Sequence, residues 1–177
     1  MTRRDKDRNA KTRKALALIR RIQPKTWDSL ANVGFKLRRE GYGTFRTCYR
    51  IMGTTLLIKF PVECRYPRQE VAGGPKVWSD REGKNHTRME VKKIRALSEF
   101  PMWRKHLPPI HYYNGRDGVL VTTYYRTRPA KNLEALRNRL IGELTKEFCG
   151  AVLGDITDDN VRSSTNGENL VIIDCGY

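Results

Sequence analysis

A chain of 177 residues carrying 35 Lys and Arg against 19 Asp and Glu, a formal net charge of +16, is sized for one domain that buries about 70% of its unfolded surface. Cys48, Cys64, Cys149 and Cys175 stand far apart without a Cys-x-x-Cys, and His86, His106 and His111 are separate, which argues against a disulfide framework or a zinc site. No apolar run approaches the ~18 residues of a membrane span and the N-terminus is charged rather than signal-like, so the expectation is a reduced, cytoplasmic protein with no membrane partner.

The charge is uneven. Residues 1–25 hold Arg3, Arg4, Lys6, Arg8, Lys11, Arg13, Lys14, Arg20, Arg21 and Lys25 against Asp5 and Asp7, so 10 − 2 = +8, half of the total. The first dozen residues are too polar to fold alone, whereas Ala15 to Ile22 can form a helix on Leu16, Ala17, Ile19 and Ile22. A basic arm of this kind suits a phosphate backbone, which makes nucleic acid or another polyanion its expected partner; a solubilising tail is the alternative. No aromatics are interleaved for base stacking, and no recognition-helix pattern follows.

Further along, Leu37 to Ile51 (LRREGYGTFRTCYRI) predicts a hairpin turning at Gly41-Tyr42-Gly43, with Phe45 two residues on. Thr54 to Phe60 is a buried-strand pattern around a lone Lys59. Read without its neighbours, that lysine is an edge-strand residue pointing to solvent. From Pro61 to Gly83, Pro61, Pro67, Pro75 and Gly73-Gly74 argue against regular structure. His86 to Leu97 predicts a helix with Met89, Ile94 and Leu97 on its apolar stripe and Glu90 beside Met89. Gly118 to Tyr125 predicts a strand, and Arg126-Thr127-Arg128-Pro129 a turn-rich crossing. Leu133, Leu136, Leu140, Ile141, Leu144 and Phe148 recur at helical spacing over roughly 17 residues. That helix leads to Gly154-Asp155-Ile156-Thr157-Asp158-Asp159-Asn160. Finally Leu170 to Ile173, an apolar run, delivers Asp174 onto a turn at Gly176.

An Asp and an Asn five positions apart, followed by a strand-borne Asp, provide one carboxylate for an acceptor hydroxyl and two ligands for Mg²⁺ on phosphates. The two stretches resemble the catalytic loop and the Asp-Phe-Gly segment of the protein kinase-like superfamily, and the upstream signals follow in the family's order from about Leu37 to Tyr177. The resemblance implies that Gly41 and Gly43 cover the phosphates of ATP, with Lys59 pairing with those phosphates and with Glu90. Thr123 and Tyr124 then fall at the adenine-binding hinge. Asp155 orients the acceptor hydroxyl and takes its proton, and Asn160 and Asp174 ligate Mg²⁺. The long segment between Lys59 and Glu90 leaves Glu70 as the fallback for the acid. Arg46 stands where the family has a third glycine. Leu153 and Gly154 stand where most eukaryotic protein kinases carry His and Arg, so the chain is similar instead to small-molecule phosphotransferases and to atypical bacterial or phage kinase-like proteins. It stops one residue after Gly176, like a catalytic core truncated just past its metal-binding turn.

The expected fold is α+β and bilobal: a basic, partly helical arm over 1–25 and a kinase-like domain over 26–177. The small lobe, about 30–125, is expected to hold a five-stranded antiparallel sheet and one helix; a rudimentary helical large lobe occupies about 126–177. The expected function is transfer of phosphate from Mg-ATP to a protein Ser or Thr, in the host cytoplasm if the chain is phage-encoded. The alternative is a catalytically inactive kinase-like binding module, or a basic effector that binds nucleic acid or a protein partner.

Overall fold

A computed structural model of the chain describes residues 2–42, 45–62, 80–125, 134, 135, 138, 160–163 and 170–173. The chain divides into two compact units, Met1–Arg88 with Ile110–Tyr124, and Met89–Pro109 with Tyr125–Tyr177.

The first unit opens with α1 (Arg3–Ile22). Helix therefore begins well before Ala15, among residues whose polarity suggested no structure. Two local devices account for this. Thr2 Oγ1 accepts from the Asp5 amide at 3.2 Å while the Asp5 carboxylate accepts from the Thr2 amide at 3.1 Å, a reciprocal capping box. The Thr2 hydroxyl, donating to Asp5 Oδ2 at 2.7 Å, and then the Thr2 amide hold the Asp5 carboxyl below its usual range. Arg20 and Arg21 fill the last turn, where cations complement the helix dipole, and Gln23 ends the helix in the left-handed region at φ 47°. Tertiary packing then fixes it: Ala15 and Ile19 are buried, and Thr12 Oγ1 accepts from the Thr55 amide at 3.2 Å. A short α2 (Trp27–Ala31) adds buried Leu30.

Next come β1 (Leu37–Tyr42), β2 (Arg46–Ile51) and β3 (Leu56–Pro61). After a third helix, α3 (Asp80–Ser98), the strands β4 (Ile110–Asn114) and β5 (Val119–Thr123) complete one antiparallel sheet in the order β1-β2-β3-β5-β4. The architecture is thus α+β with a five-stranded antiparallel sheet and helices, consistent with the small lobe of a kinase-like fold. The strand β4, which no sequence signal singled out, ends in a turn where Asn114 Oδ1 accepts from the amides of Arg116 and Asp117 at 3.0 and 3.3 Å.

The ladder registers sort the side chains onto two faces, since opposed residues share a face and neighbours alternate. Ile51, Leu56, Ile58, Phe60, Val119 and Val121 point one way and form the core with Ala15, Ile19 and Leu30. Full burial of each large aliphatic there contributes about 1.5–3 kcal/mol. The other face carries Arg46, Cys48, Arg50, Leu57, Lys59, Leu120 and Thr122. Because both faces are covered at β3, all six of its residues are buried.

The helix α3 runs Asp80–Ser98, six residues ahead of the expected start at His86, and Gly83, the expected end of the irregular segment, lies inside it. A Cβ there would come within 2.8 Å of the Phe45 carbonyl oxygen and 2.9 Å of Pro61 Cβ, so glycine is what lets the helix approach the sheet. The unit boundary falls within α3.

In the second unit Glu90, Val91, Ile94 and Leu97 are buried whereas Met89 is 49% exposed. The apolar stripe therefore passes through Glu90, four residues before Ile94, and not through Met89. The short α4 (Pro101–Arg104) buries Trp103. The strands β6 (Val161–Ser163) and β7 (Leu170–Ile172) form an antiparallel pair, and the Ile172 amide donates to the His106 carbonyl at 2.8 Å. Glu134, Ala135 and Asn138 are helical and exposed; the rest of the helix expected up to Phe148, and Arg126 to Pro129, lie outside the described residues. Among the described residues no helix is long and apolar enough to cross a membrane.

Candidate functional site

Lys59 occupies the middle of β3, the central strand of five, and is 3% exposed. An edge-strand lysine facing solvent is thereby excluded. A buried ammonium carries a desolvation cost of several kcal/mol unless it is paired, and Lys59 is not left without an interaction. The registers place Gly41, Cys48, Lys59 and Leu120 in one row across β1, β2, β3 and β5. Gly41 is therefore two ladder spacings, about 10 Å, from Lys59 on the same face. Among the described residues a Cβ on Gly41 would meet nothing within 4 Å, and its φ is not positive. The fold's own packing does not demand glycine there, and the space over that point of the row is open to a ligand.

Around the hairpin, Phe45 stacks on His86 of α3 with centroids 3.5 Å apart, and the Phe45 carbonyl accepts from the Val62 amide at 2.9 Å. Arg46, in the place of a third glycine, is 7% exposed and engaged; it lies opposite Pro61 on the Lys59 face.

At the end of β5 the Tyr124 amide donates to the Thr55 carbonyl at 2.7 Å. That amide is committed to the sheet, so of Tyr124's backbone groups the carbonyl is the one left to face a base. Its hydroxyl donates to Glu40 Oε2 at 3.3 Å, and Arg38 holds the other oxygen of Glu40 at 2.7 Å. The Arg50 guanidinium lies 4.3 Å over the Tyr124 ring, a cation–π contact, and its Nε has no hydrogen-bond partner among the described residues. Thr123 is half-buried, with Oγ1 2.9 Å from His111 Nε2. Burial, and then the nearby Arg20 charge, push the His111 imidazole below its ordinary value.

In the second unit Glu90 is fully buried on α3 and engaged. Asn160 is half-buried in the turn before β6, and its carbonyl accepts from the Ile173 amide at 2.7 Å. That bond brings Asn160 beside the residue preceding Asp174 in sequence. Gly43, Glu70, Asp155 and Asp174 themselves lie outside the described residues. Among those described, no three or more His, Cys, Asp or Glu group as a metal site.

Sequence reasoning did not single out Glu40, Arg50 or His86 as site residues. Glu40 falls at the register shift between Arg39 and Gly41, and a bulge re-aims a side chain in a way alternation does not predict. The signal for His86 was its position one turn before Glu90.

No family model matches the chain, and no curated protein does. Fifteen solved chains match it. One of them, the apo form of PpkA-294, a bacterial Ser/Thr kinase, aligns at 18% identity with a TM-score of 0.48 over 78% of this chain and 57% of its own length. The present chain thus spans just over half of that structure. A likeness at this level carries no argument about family or activity.

Proposed function

We propose that the chain is a phosphotransferase of the protein kinase type that uses Mg-ATP and acts on protein Ser or Thr. The observation that carries this is Lys59: a buried ammonium on the central strand, in one row with a glycine whose own packing leaves open space. A cation so placed suits the phosphates of a nucleotide. Bound there, Mg-ATP would supply the γ-phosphoryl group. Gly41 and Gly43 would let the hairpin backbone approach the phosphates, and Lys59, with Glu90 as its acid, would neutralise their charge. The carbonyl of Tyr124 and the adjoining Thr123 would border the base. Asn160 and Asp174 would hold the metal, while Asp155 would orient the acceptor hydroxyl and take its proton.

A thermal-shift titration with ATP, with and without Mg²⁺, tests the binding half. Nucleotide at 100 times its dissociation constant stabilises the fold by about 2.7 kcal/mol, and Lys59→Met or Asp174→Ala removes most of that gain. Equal shifts in all three proteins overturn the assignment. For the chemistry, Asp155→Asn is expected to keep nucleotide binding and lower labelled-phosphate transfer by roughly 10²–10⁴-fold. Nucleotide binding without transfer to any of a broad protein panel would instead support the inactive binding module.

A further inference from the structure

The fold uses one side of α1 and leaves the other bare. Ala15 and Ile19 lie in the core. At about 100° per residue, Arg3, Lys6, Arg13, Lys14, Arg20 and Arg21 fall on the opposite side, and all six are exposed. The acids do little to offset them. Asp5 is committed to Thr2 and Arg8, which leaves Asp7 as the acid on that side. Arg20 reaches the His111 carbonyl at 3.3 Å; the side chains of Lys6, Arg13, Lys14 and Arg21 have no hydrogen bond or ion pair with described residues. From Arg3 to Arg21 is 21 − 3 = 18 steps, about 27 Å at roughly 1.5 Å each. The stripe is therefore a straight row of cations on a capped, core-anchored helix and not a flexible tail.

We propose that this row is a docking surface for the phosphate backbone of double-stranded DNA. Charge complementarity selects a polyanion: duplex DNA presents one negative charge per ~1.7 Å of axis, and a straight row matches a straight duplex. The chemistry of the stripe disfavours the other anionic surfaces. A membrane helix needs a free apolar face, and here that face is buried on the sheet. A protein partner needs apolar or aromatic anchors, whereas the stripe offers Ala10 and Ala17. Single strands call for aromatics on which bases stack, and the stripe has none. Lys and Arg alone hold phosphates without reading bases, so the binding is expected to ignore sequence. It is also independent of the nucleotide site, because none of the six residues belongs to it.

The test uses the full chain and a labelled 20-base-pair duplex, with anisotropy measured between about 50 and 200 mM salt. Six phosphate contacts give a slope of log affinity against log salt near −5, a loss on the order of 10³-fold over that range. The quadruple variant Lys6→Gln, Arg13→Gln, Lys14→Gln, Arg21→Gln keeps good helix formers at exposed positions, so its melting temperature should stay close to wild type. Its slope should fall to about −2, leaving roughly a 10-fold loss over the same range. A second variant, Arg13→Lys with Arg21→Lys, preserves charge and should behave as wild type. Equal slopes in wild type and the quadruple variant overturn the proposal. So does tighter binding to single strands, duplex RNA or anionic vesicles than to the DNA duplex.

Discussion

The rings of Phe45 and His86 lie face to face, 3.5 Å between centroids and 16° from parallel. One belongs to the β1–β2 hairpin and the other to α3, four residues before Glu90. Gly83, one turn earlier, makes the approach possible. The stack and the glycine together clamp the hairpin to the first half of α3.

Two substitutions probe that clamp. Gly83→Ala gains up to about 1 kcal/mol in helix propensity but places a methyl group 2.8 Å from a backbone oxygen. The helix must shift, and the net outcome is a loss of about 1–3 kcal/mol, the usual cost of overpacking. His86→Ala loses the stacking contribution of about 0.5–1.5 kcal/mol, and His86→Phe should restore it. Urea unfolding reads both. A Gly83→Ala protein as stable as wild type would show that the helix does not need this close approach.

The strands β1, β2, β3 and β5 and the lone charge at Lys59 were legible because they rest on local pattern, whereas β4 and the register that aligns Gly41 with Lys59 were not. Leu56, Ile58 and Phe60 alternate with Leu57 and Lys59, and a single charge in such a run stands out. The first half of α1 was not legible, because its helix depends on the Thr2–Asp5 box and on Ile19 reaching a sheet formed far along the chain. The stripe of α3 was misplaced by one residue because Met89 is apolar and Glu90 is not. Burial there follows the 3.6-residue period through Ile94 and Leu97, and the carboxylate goes inside with it. That contradiction between residue type and position is the signature of a functional or structural charge, which polarity alone does not reveal.

The role of α1 as part of the core has a direct consequence. Ile19→Ala should cost about 2–5 kcal/mol, the range for emptying a fully buried aliphatic site, whereas Arg13→Gln on the exposed face should stay within about 0.5 kcal/mol. Chemical denaturation distinguishes them. Were residues 1–25 an independent tail, both would be neutral.

The cap at the start of α1 predicts a smaller effect. Thr2→Ala removes the acceptor for the Asp5 amide and the hydroxyl donor that does most to hold the Asp5 carboxyl down, while the backbone amide of residue 2 stays; the lost cap costs about 0.5–2 kcal/mol. Asp5 is depressed in the folded state, so its contribution is present above its ordinary value of 3.8 and is lost as pH falls below it. Stability of the variant should therefore depend less on pH below about 4 than that of wild type. An identical acid limb in both would mean that the box adds nothing to the fold.

His111 supplies a second, separate pH dependence. Its ring sits on β4 with Nε2 2.9 Å from Thr123 Oγ1, and its carbonyl accepts from Arg20. Protonation would put a charge in a half-buried place and, as the smaller effect, set it near that guanidinium, which is why the folded value lies below the ordinary 6.5. The unfolded chain takes up its proton first as the solution is acidified, so below 6.5 the unfolded state holds more protons than the folded one. Stability is then fully present above 6.5 and falls with pH until the folded imidazole also titrates, with a slope from this one group of at most about 1.4 kcal/mol per pH unit. His111→Gln can still bond Thr123 but does not titrate. Because His86 and His106 are common to both proteins, the difference between wild type and variant isolates His111. Unfolding free energies measured from pH 7.5 to 5 should fall less steeply in the variant, and matching slopes would show that the imidazole is as free to protonate in the folded chain as in the unfolded one.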